Sequence, residues 1–244
     1  MSLTRTGIPY LDFCHNPCGF GCSAWCDGCW AKSLAPRVGT NIGCDLCKTF
    51  TPHLHPERLG DIGKRKAPAV IGVQFTGELF DRLRTDEDVD AVLAACERGP
   101  QHEFVFLTQQ AMRMYHRLYG RDTADNWYLG VTARDQSEVD DRVDTLVSIR
   151  GKRWASLEPL RENVLLEEWL PGLDGVIVGC DNRRDVAFDN DWARNVLGQC
   201  RDAKVPCYIK QIRSPDGRLL TNPDTFPADL RVRELPWTLR TKRP

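Results

Sequence analysis

From residue 69 onward the chain repeats one pattern: a short apolar run closes on a polar residue, and a charged or amphipathic stretch follows. The runs are AVIGVQFTGE (69–78), EFVFLTQ (103–109), NWYLGVTA (126–133), KRWASLEP (152–159), DGVIVGCD (174–181) and PCYIKQI (206–212). Each is rich in β-branched or aromatic residues, as buried parallel strands are. Their starts lie 34, 23, 26, 22 and 32 residues apart, which suits βα units. The intervening stretches are patterned as helices. Thr85 stands as an N-cap before a first turn of acids, and Gly99 stands as a stop. Between them Val89, Val92, Leu93 and Cys96 form one apolar face. Val139, Val143 and Leu146 form the next such face, and Trp192, Val196 and Leu197 the last. Strands alternating with helices place the chain in the α/β class with a parallel sheet, open or wound into a barrel. We expect a partial (β/α) barrel of six to seven parallel strands. Its first strand should lie in IPYLDF (8–13), just ahead of a cysteine-rich loop.

The polar residues closing the runs are candidates for chemistry. They are Thr76, Gly77 and Glu78, then Thr108, Thr132 with Arg134, Ser156 with Glu158, Cys180 with Asp181, and Lys210 with Gln211. In α/β barrels and open α/β sheets alike, ligands bind at the carboxyl ends of the strands. As a set these residues outline a polar mouth.

Composition narrows the class. With 244 residues, 41% of them hydrophobic, the chain has enough material for a sizeable core. We expect a single domain over 1–244, interrupted by a Pro-, Gly- and Lys-rich insertion at 30–68 and ending in a basic tail at 231–244. Loops as long as that insertion are functional or disordered, and the tail reads as a solvated end. A formal net charge of −1 provides no global field toward nucleic acid. No stretch approaches the length of an apolar membrane span, and the first residues lack a signal-peptide core. We therefore expect a cytoplasmic protein with no membrane partner. A reducing compartment disfavours disulfides, and eleven cysteines is an odd number. Neither a P-loop nor a G-x-G-x-x-G motif occurs, which weakens a nucleotide- or flavin-dependent barrel.

Seven of the cysteines precede residue 48, and the segment CHNPCGFGCSAWCDGC (14–29) holds five. Two groupings compete. Cys22, Cys26 and Cys29 form C-x3-C-x2-C, three thiolates that bind three irons of a [4Fe–4S] cluster and leave the fourth open. Cys26, Cys29, Cys44 and Cys47 form C-x2-C-x14-C-x2-C, the pattern of a zinc ribbon. The zinc alternative describes a binding module on a non-catalytic α/β domain, and it leaves Cys14, Cys18 and Cys22 without a role. Under the cluster grouping, Cys14, Cys18, Cys44 and Cys47 remain for a possible second site, an auxiliary iron–sulfur cluster or a zinc ion. His53 and His55 lie close by, and His55 reads as structural. Cys96, Cys200 and Cys207 read as core thiols.

The segment NPCGFGCSAWCDGCWAK resembles the cluster loop of the radical S-adenosylmethionine (SAM) superfamily, in particular its spore photoproduct lyase-like branch. The chain downstream is similar to a phage-associated family of unassigned activity. The similarity runs through HPERL (55–59), GELFD (77–81), YLGVTARDQ (128–136), SLEPL (156–160), VPCYIKQ (205–211) and RVRELPW (231–237). Gly28 and Trp30 depart from the branch's usual aromatic and Tyr at those places, and no ligand is lost. The resemblance implies a [4Fe–4S] cluster on Cys22, Cys26 and Cys29, with SAM as cosubstrate. It implies that Thr76, Gly77 and Glu78 hold the methionyl amino group. Thr132 and Arg134 contact the ribose or the carboxylate, for which an Arg fork is suited. Glu158, Asp181 and Lys210 face the substrate, and Cys180 is a candidate hydrogen-atom donor. It also implies an electron donor such as flavodoxin or ferredoxin, and a DNA base, nucleotide or modified nucleoside as substrate.

Overall fold

The computed structural model describes residues 3–24 and 26–239, so the last five residues of the expected basic tail lie outside it. The described residues form two compact units. One comprises residues up to Leu118 together with Thr123–Trp127 and Leu239; the other comprises Tyr119–Asp122 and Tyr128–Thr238.

In the first unit β1 (Leu3–Arg5) lies antiparallel to β2 (Phe13–His15). Parallel pairing then joins β2 to β3 (Val70–Val73) and β3 to β4 (Glu103–Phe106). All four residues of β3 and of β4 are buried. In the second unit β5 (Trp127–Thr132), β6 (Lys152–Leu157), β7 (Gly175–Gly179) and β8 (Cys207–Arg213) pair in parallel in sequence order. A short β9 (Leu219–Leu220) closes that edge antiparallel to β8. Three parallel strands in one unit and four in the other supply the expected set, and each of the six apolar runs is a strand.

The predicted helices form where their caps and faces place them. The helix Asp86–Glu97 starts at Thr85, whose hydroxyl accepts the Asp88 N–H at 3.2 Å, and buries Val89, Val92, Leu93 and Cys96. Val139, Val143 and Leu146 are buried on a segment that passes from α-helix through a π-helical turn at Val139–Val143 and back. The helix Asn190–Ala203 buries Val196 and Leu197, with Ala193 inward and Trp192 half-buried.

Two expectations are corrected. The first strand does not occupy 8–13. Leu11 N–H turns back to the Ile8 carbonyl at 3.2 Å, and the Asp12 carboxylate accepts the Val70 N–H at 3.0 Å. A side chain replaces the backbone acceptor there, so the ladder begins only at Phe13. The insertion 30–68 is not a loop. It folds as α1 (Trp30–Ile42), α2 (Asp45–Lys48), a 3₁₀ turn at Pro56–Arg58 and α3 (Asp61–Lys64). Cys29 caps α1, its sulfur accepting the Lys32 N–H at 3.4 Å. Ala31, Ala35 and Gly39 make a stripe of small residues along one face. At Gly39 the α2 backbone comes so close that an added Cβ would meet Lys48 N at 2.2 Å.

That approach fixes the sign of two glycine substitutions. Both Gly39 and Gly198 lie inside helices, where alanine is intrinsically better by about 1 kcal/mol. Gly198 faces open space, so Gly198→Ala should raise stability by about that amount. Gly39→Ala should lower it by about 1–3 kcal/mol through overpacking. Denaturant midpoints of the two variants test this, and equal shifts of one sign would exclude the close approach.

Candidate functional site

The cysteine loop leaves β2 and is fastened to the segment that follows β3. The Gly19 carbonyl accepts from Gln74 Nε2 at 2.8 Å and from the Thr76 hydroxyl at 2.6 Å. Gly21 and Gly77 form a parallel bridge, and the Glu78 N–H reaches the Gly21 carbonyl at 3.3 Å. A Cβ at Gly77 would stand 2.3 Å from that carbonyl oxygen, so only glycine allows the contact. Beyond it, Ser23 N–H donates to Asp81, and Cys22 N–H donates to the Phe50 carbonyl at 3.2 Å.

Cys22, Cys26 and Cys29 are half-buried free thiols. Each sulfur accepts an N–H hydrogen bond, Cys22 from Ala24 at 3.3 Å, Cys26 from Gln109 Nε2 at 3.0 Å and Cys29 from Lys32 at 3.4 Å. The Cys29 sulfur also sits at the N-terminus of α1, where the peptide dipoles favour negative charge. Burial pushes the Cys22 thiol up to about 12, against the pull of the Ala24 N–H. A groove of about 580 Å³ opens beside Cys26, Asp27, Gly28, Cys29, Lys32 and Ser33. Three sulfurs so furnished with N–H donors suit metal-bound thiolates.

Glu78 is buried behind this loop. Its carboxylate accepts from the Thr108 hydroxyl at 2.6 Å, from Phe80 N–H at 3.1 Å and from Gln109 N–H at 3.0 Å. Desolvation nevertheless holds its pKa above the ordinary carboxyl value, outweighing those three donors. Glu78 therefore also sets Gln109, the residue that reaches Cys26. Gln109 was missed in the sequence, although it closes the run EFVFLTQ beside Thr108.

The remaining cysteines divide differently from the expected second site. Cys44 and Cys47 come together with His53 and His55, their ligand atoms all within 4.8 Å of one another. Among the described residues this is the one such group of three or more His, Cys, Asp or Glu, so Cys14, Cys18, Cys22, Cys26 and Cys29 stand outside it, and the last three do not form such a group themselves. Cys14 and Cys18 are buried, and burial pushes their thiols up to about 11 and about 12. The signal for the histidines was their H-x-H spacing just after C-x2-C.

In the second unit the strand-end residues form internal pairs. Lys210 bonds the Glu158 carboxylate, whose other oxygen, Oε1, is buried without a hydrogen-bond partner. The guanidinium of Arg134 is engaged by Glu138, which also pairs with Arg142 at 3.1 Å. The Thr132 side is buried, its carbonyl taking Arg142 Nη1 at 2.8 Å. Burial opposes ionisation of Asp181, yet hydrogen bonds and charge from Arg183 hold its carboxyl below the usual range. Cys180 is buried, and that burial raises its thiol to about 11. Cys96, Cys200 and Cys207 are buried core thiols.

A family model described as "Protein of unknown function (DUF5131)" matches residues 5–218. The chain belongs to that family. A search of curated proteins found no match. Among solved structures, this DUF5131 chain is similar to a doubly mutated spore photoproduct lyase with bound AdoMet and dinucleoside spore photoproduct. The TM-score is 0.51 at 13% identity, covering 87% of this chain and 67% of that one. It is also similar to a singly mutated spore photoproduct lyase with dinucleoside spore photoproduct, with TM-score 0.51, 11% identity and the same coverage. The likeness is one of fold: the chain shares the α/β architecture of those lyase structures. No helix among the described residues is long and apolar enough to cross a membrane.

The raised pKa of Glu78 gives a pH signature. Its protonated form is favoured in the fold, so its contribution to stability is full below the ordinary value of 4.5 and is lost as pH rises through the folded value. Glu78→Gln removes that dependence. The stability of the variant minus that of the parent should grow as pH rises above the ordinary value of 4.5. A flat difference in denaturant titrations would show that Glu78 ionises as freely in the folded chain as in the unfolded one.

Proposed function

We propose that this protein is a radical SAM enzyme, with a [4Fe–4S] cluster on Cys22, Cys26 and Cys29 and a DNA base, nucleotide or modified nucleoside as substrate. The observation that carries the proposal is the set of N–H donors from Ala24, Gln109 and Lys32, one to each sulfur of a C-x3-C-x2-C loop. The fold shared with the spore photoproduct lyases supports it, and the dinucleoside bound in those proteins supports the substrate class. When bound, the cluster and SAM supply one-electron cleavage of the sulfonium to methionine and a 5′-deoxyadenosyl radical, which takes a hydrogen atom from the substrate. The electron comes from a donor of the flavodoxin or ferredoxin type.

The chain's own residues hold and orient. Gly21 and Gly77 fix the loop to the end of β3, and Glu78 sets Thr108 and Gln109 behind Cys26. Thr76, Gly77 and Glu78 are the segment we assign to an ammonium group such as the methionyl amine. Arg134 takes an anionic group by exchanging the carboxylate of Glu138 for that of a ligand. Glu158, with its one unbonded oxygen, and Lys210 are the polar pair we assign to the substrate. Cys180 closes β7 as a protonated thiol, the form in which an S–H hydrogen atom is available.

Protein reconstituted anaerobically with iron and sulfide should hold about four irons in this cluster. With a strong reductant and SAM it should release 5′-deoxyadenosine and methionine. Replacing Cys22, Cys26 and Cys29 with alanine together should abolish both. Reconstituted protein without iron, or release of S-adenosylhomocysteine alone, would sink the radical reading.

A separate outcome addresses Cys180. Cys180→Ala should keep the iron and still form 5′-deoxyadenosine, while a dinucleoside substrate is diverted to side products. An unchanged product distribution would remove Cys180 as the hydrogen donor.

A further inference from the structure

The segment Cys44–His55 contains a constellation independent of the iron–sulfur reading. His53 Nε2 lies 3.4 Å from the sulfur of Cys44 and 3.4 Å from that of Cys47. His55 Nε2 lies 3.3 Å from the Cys47 sulfur and 2.9 Å from His53 Nε2. Zinc bonds of about 2.3 Å to sulfur and about 2.0–2.1 Å to nitrogen set tetrahedral edges near about 3.5 Å for S to N and about 3.3 Å for N to N. The three S-to-N edges lie within about 0.2 Å of the zinc value, the N-to-N edge of 2.9 Å is the shortest, and the remaining edges lie within 4.8 Å.

The outer ring atoms show which way the lone pairs face. His53 Nδ1 is 2.7 Å from the Thr51 carbonyl, which can only accept, so Nδ1 carries the proton. His55 Nδ1 is 3.1 Å from the Glu57 carboxylate, with the same consequence. In both neutral rings Nε2 is then a bare acceptor, and the two acceptors face each other and the same sulfur. One added proton joins only one such pair, whereas a metal ion satisfies all four atoms. Carboxylate and carbonyl partners on the far ring nitrogen are the usual support of zinc-bound histidines.

The shell around the sulfurs agrees. Cys47 N–H donates to the Cys44 sulfur, and Phe20 N–H donates to the Cys47 sulfur, both at 3.4 Å. Gly19, at φ +58°, packs on the ligands so tightly that a Cβ would stand 2.5 Å from the Cys47 sulfur and 3.0 Å from the His55 ring.

We infer that Cys44, Cys47, His53 and His55 bind a structural zinc ion. Two thiolates and two imidazoles in tetrahedral array are zinc chemistry, and four protein ligands leave no open position for catalysis. The structure also shows what the ion organises. His55 N–H donates to the Pro17 carbonyl at 2.8 Å, Cys22 N–H to Phe50 O at 3.2 Å, and Arg84 Nη1 to His53 O at 2.6 Å. The metal-bearing segment thus braces the loop that carries Cys22.

The experiment measures metal on the full chain, purified anaerobically and dialysed against a weak chelator. One zinc per chain is expected. Cobalt supplied instead should give the intense visible bands of a tetrahedral thiolate site, a readout on the parent protein that no unfolded variant can confuse. His53→Ala and Cys47→Ala should each lose at least nine-tenths of the zinc, while Cys14→Ala and the triple alanine variant of Cys22, Cys26 and Cys29 retain it. Retention of iron with loss of zinc in His53→Ala separates this site from the cluster. Parent protein that takes up no zinc, an octahedral cobalt spectrum, or full zinc retention in Cys47→Ala and His53→Ala would overturn the inference.

Discussion

The candidate site rests on one close approach of two backbones. Gly21 and Gly77 meet edge to edge, with no room for a side chain at Gly77. The contact extends the parallel pairing of β2 and β3 beyond the strands proper, into the loop that carries Cys22 and the turn that carries Glu78. Because β3 is buried along its whole length, it transmits the rigidity of the first unit's core to the loop. A loop of this length in isolation samples many conformations and binds a metal with a large ordering cost. Here much of that cost is met when the chain folds.

Burial and charge are opposed around the same loop. Glu78 is desolvated, yet three donors converge on its carboxylate. Cys22 is desolvated too, and burial raises its thiol against the N–H that it accepts from Ala24. A cation placed among the sulfurs changes that balance, since an adjacent positive charge favours the thiolate. The N–H donors already in place on each sulfur then need no rearrangement.

The strands and their order were legible because apolar runs of β-branched residues at βα spacing leave few other folds available. The C-x3-C-x2-C spacing of the cysteine loop is likewise a local pattern, present in the sequence without the fold. What the sequence hid was non-local or compositional. The start of β2 depended on the Asp12 carboxylate taking a backbone partner on Val70, a contact across 58 residues. The helix α1 was hidden by Pro36 and by an apolar face made only of Ala31, Ala35 and Gly39, which carry little hydrophobic signal. Gln109 and Cys26 are 83 residues apart, and no periodicity links them. The pairing of Arg134 with Glu138 was a visible i,i+4 pattern, but the sequence alone does not say whether the Arg fork faces a partner or a ligand.

The same scarcity of hydrophobic signal explains why the insertion needs more than packing. One apolar cluster there is Ala31, Ala35 and Phe50, with Phe20, Cys22 and Cys29 laid against it. Alanines bury little area, and at about 25 cal/mol per Å² such a cluster stabilises weakly. Small units without an adequate core are held by disulfides or metals. The eleven cysteines are all free thiols, so disulfides do not serve here. A metal on Cys44, Cys47, His53 and His55 ties α2 to the following segment and, through Phe20 and Pro17, to the loop itself. Cys22 and Cys29 then belong to two structures at once. Their side chains complete the thin apolar cluster, and their sulfurs are the ones we assign to the iron–sulfur cluster. A change in the packing of Ala31, Ala35 or Phe50 therefore reaches Cys22 and Cys29 directly, with no long path of coupling required.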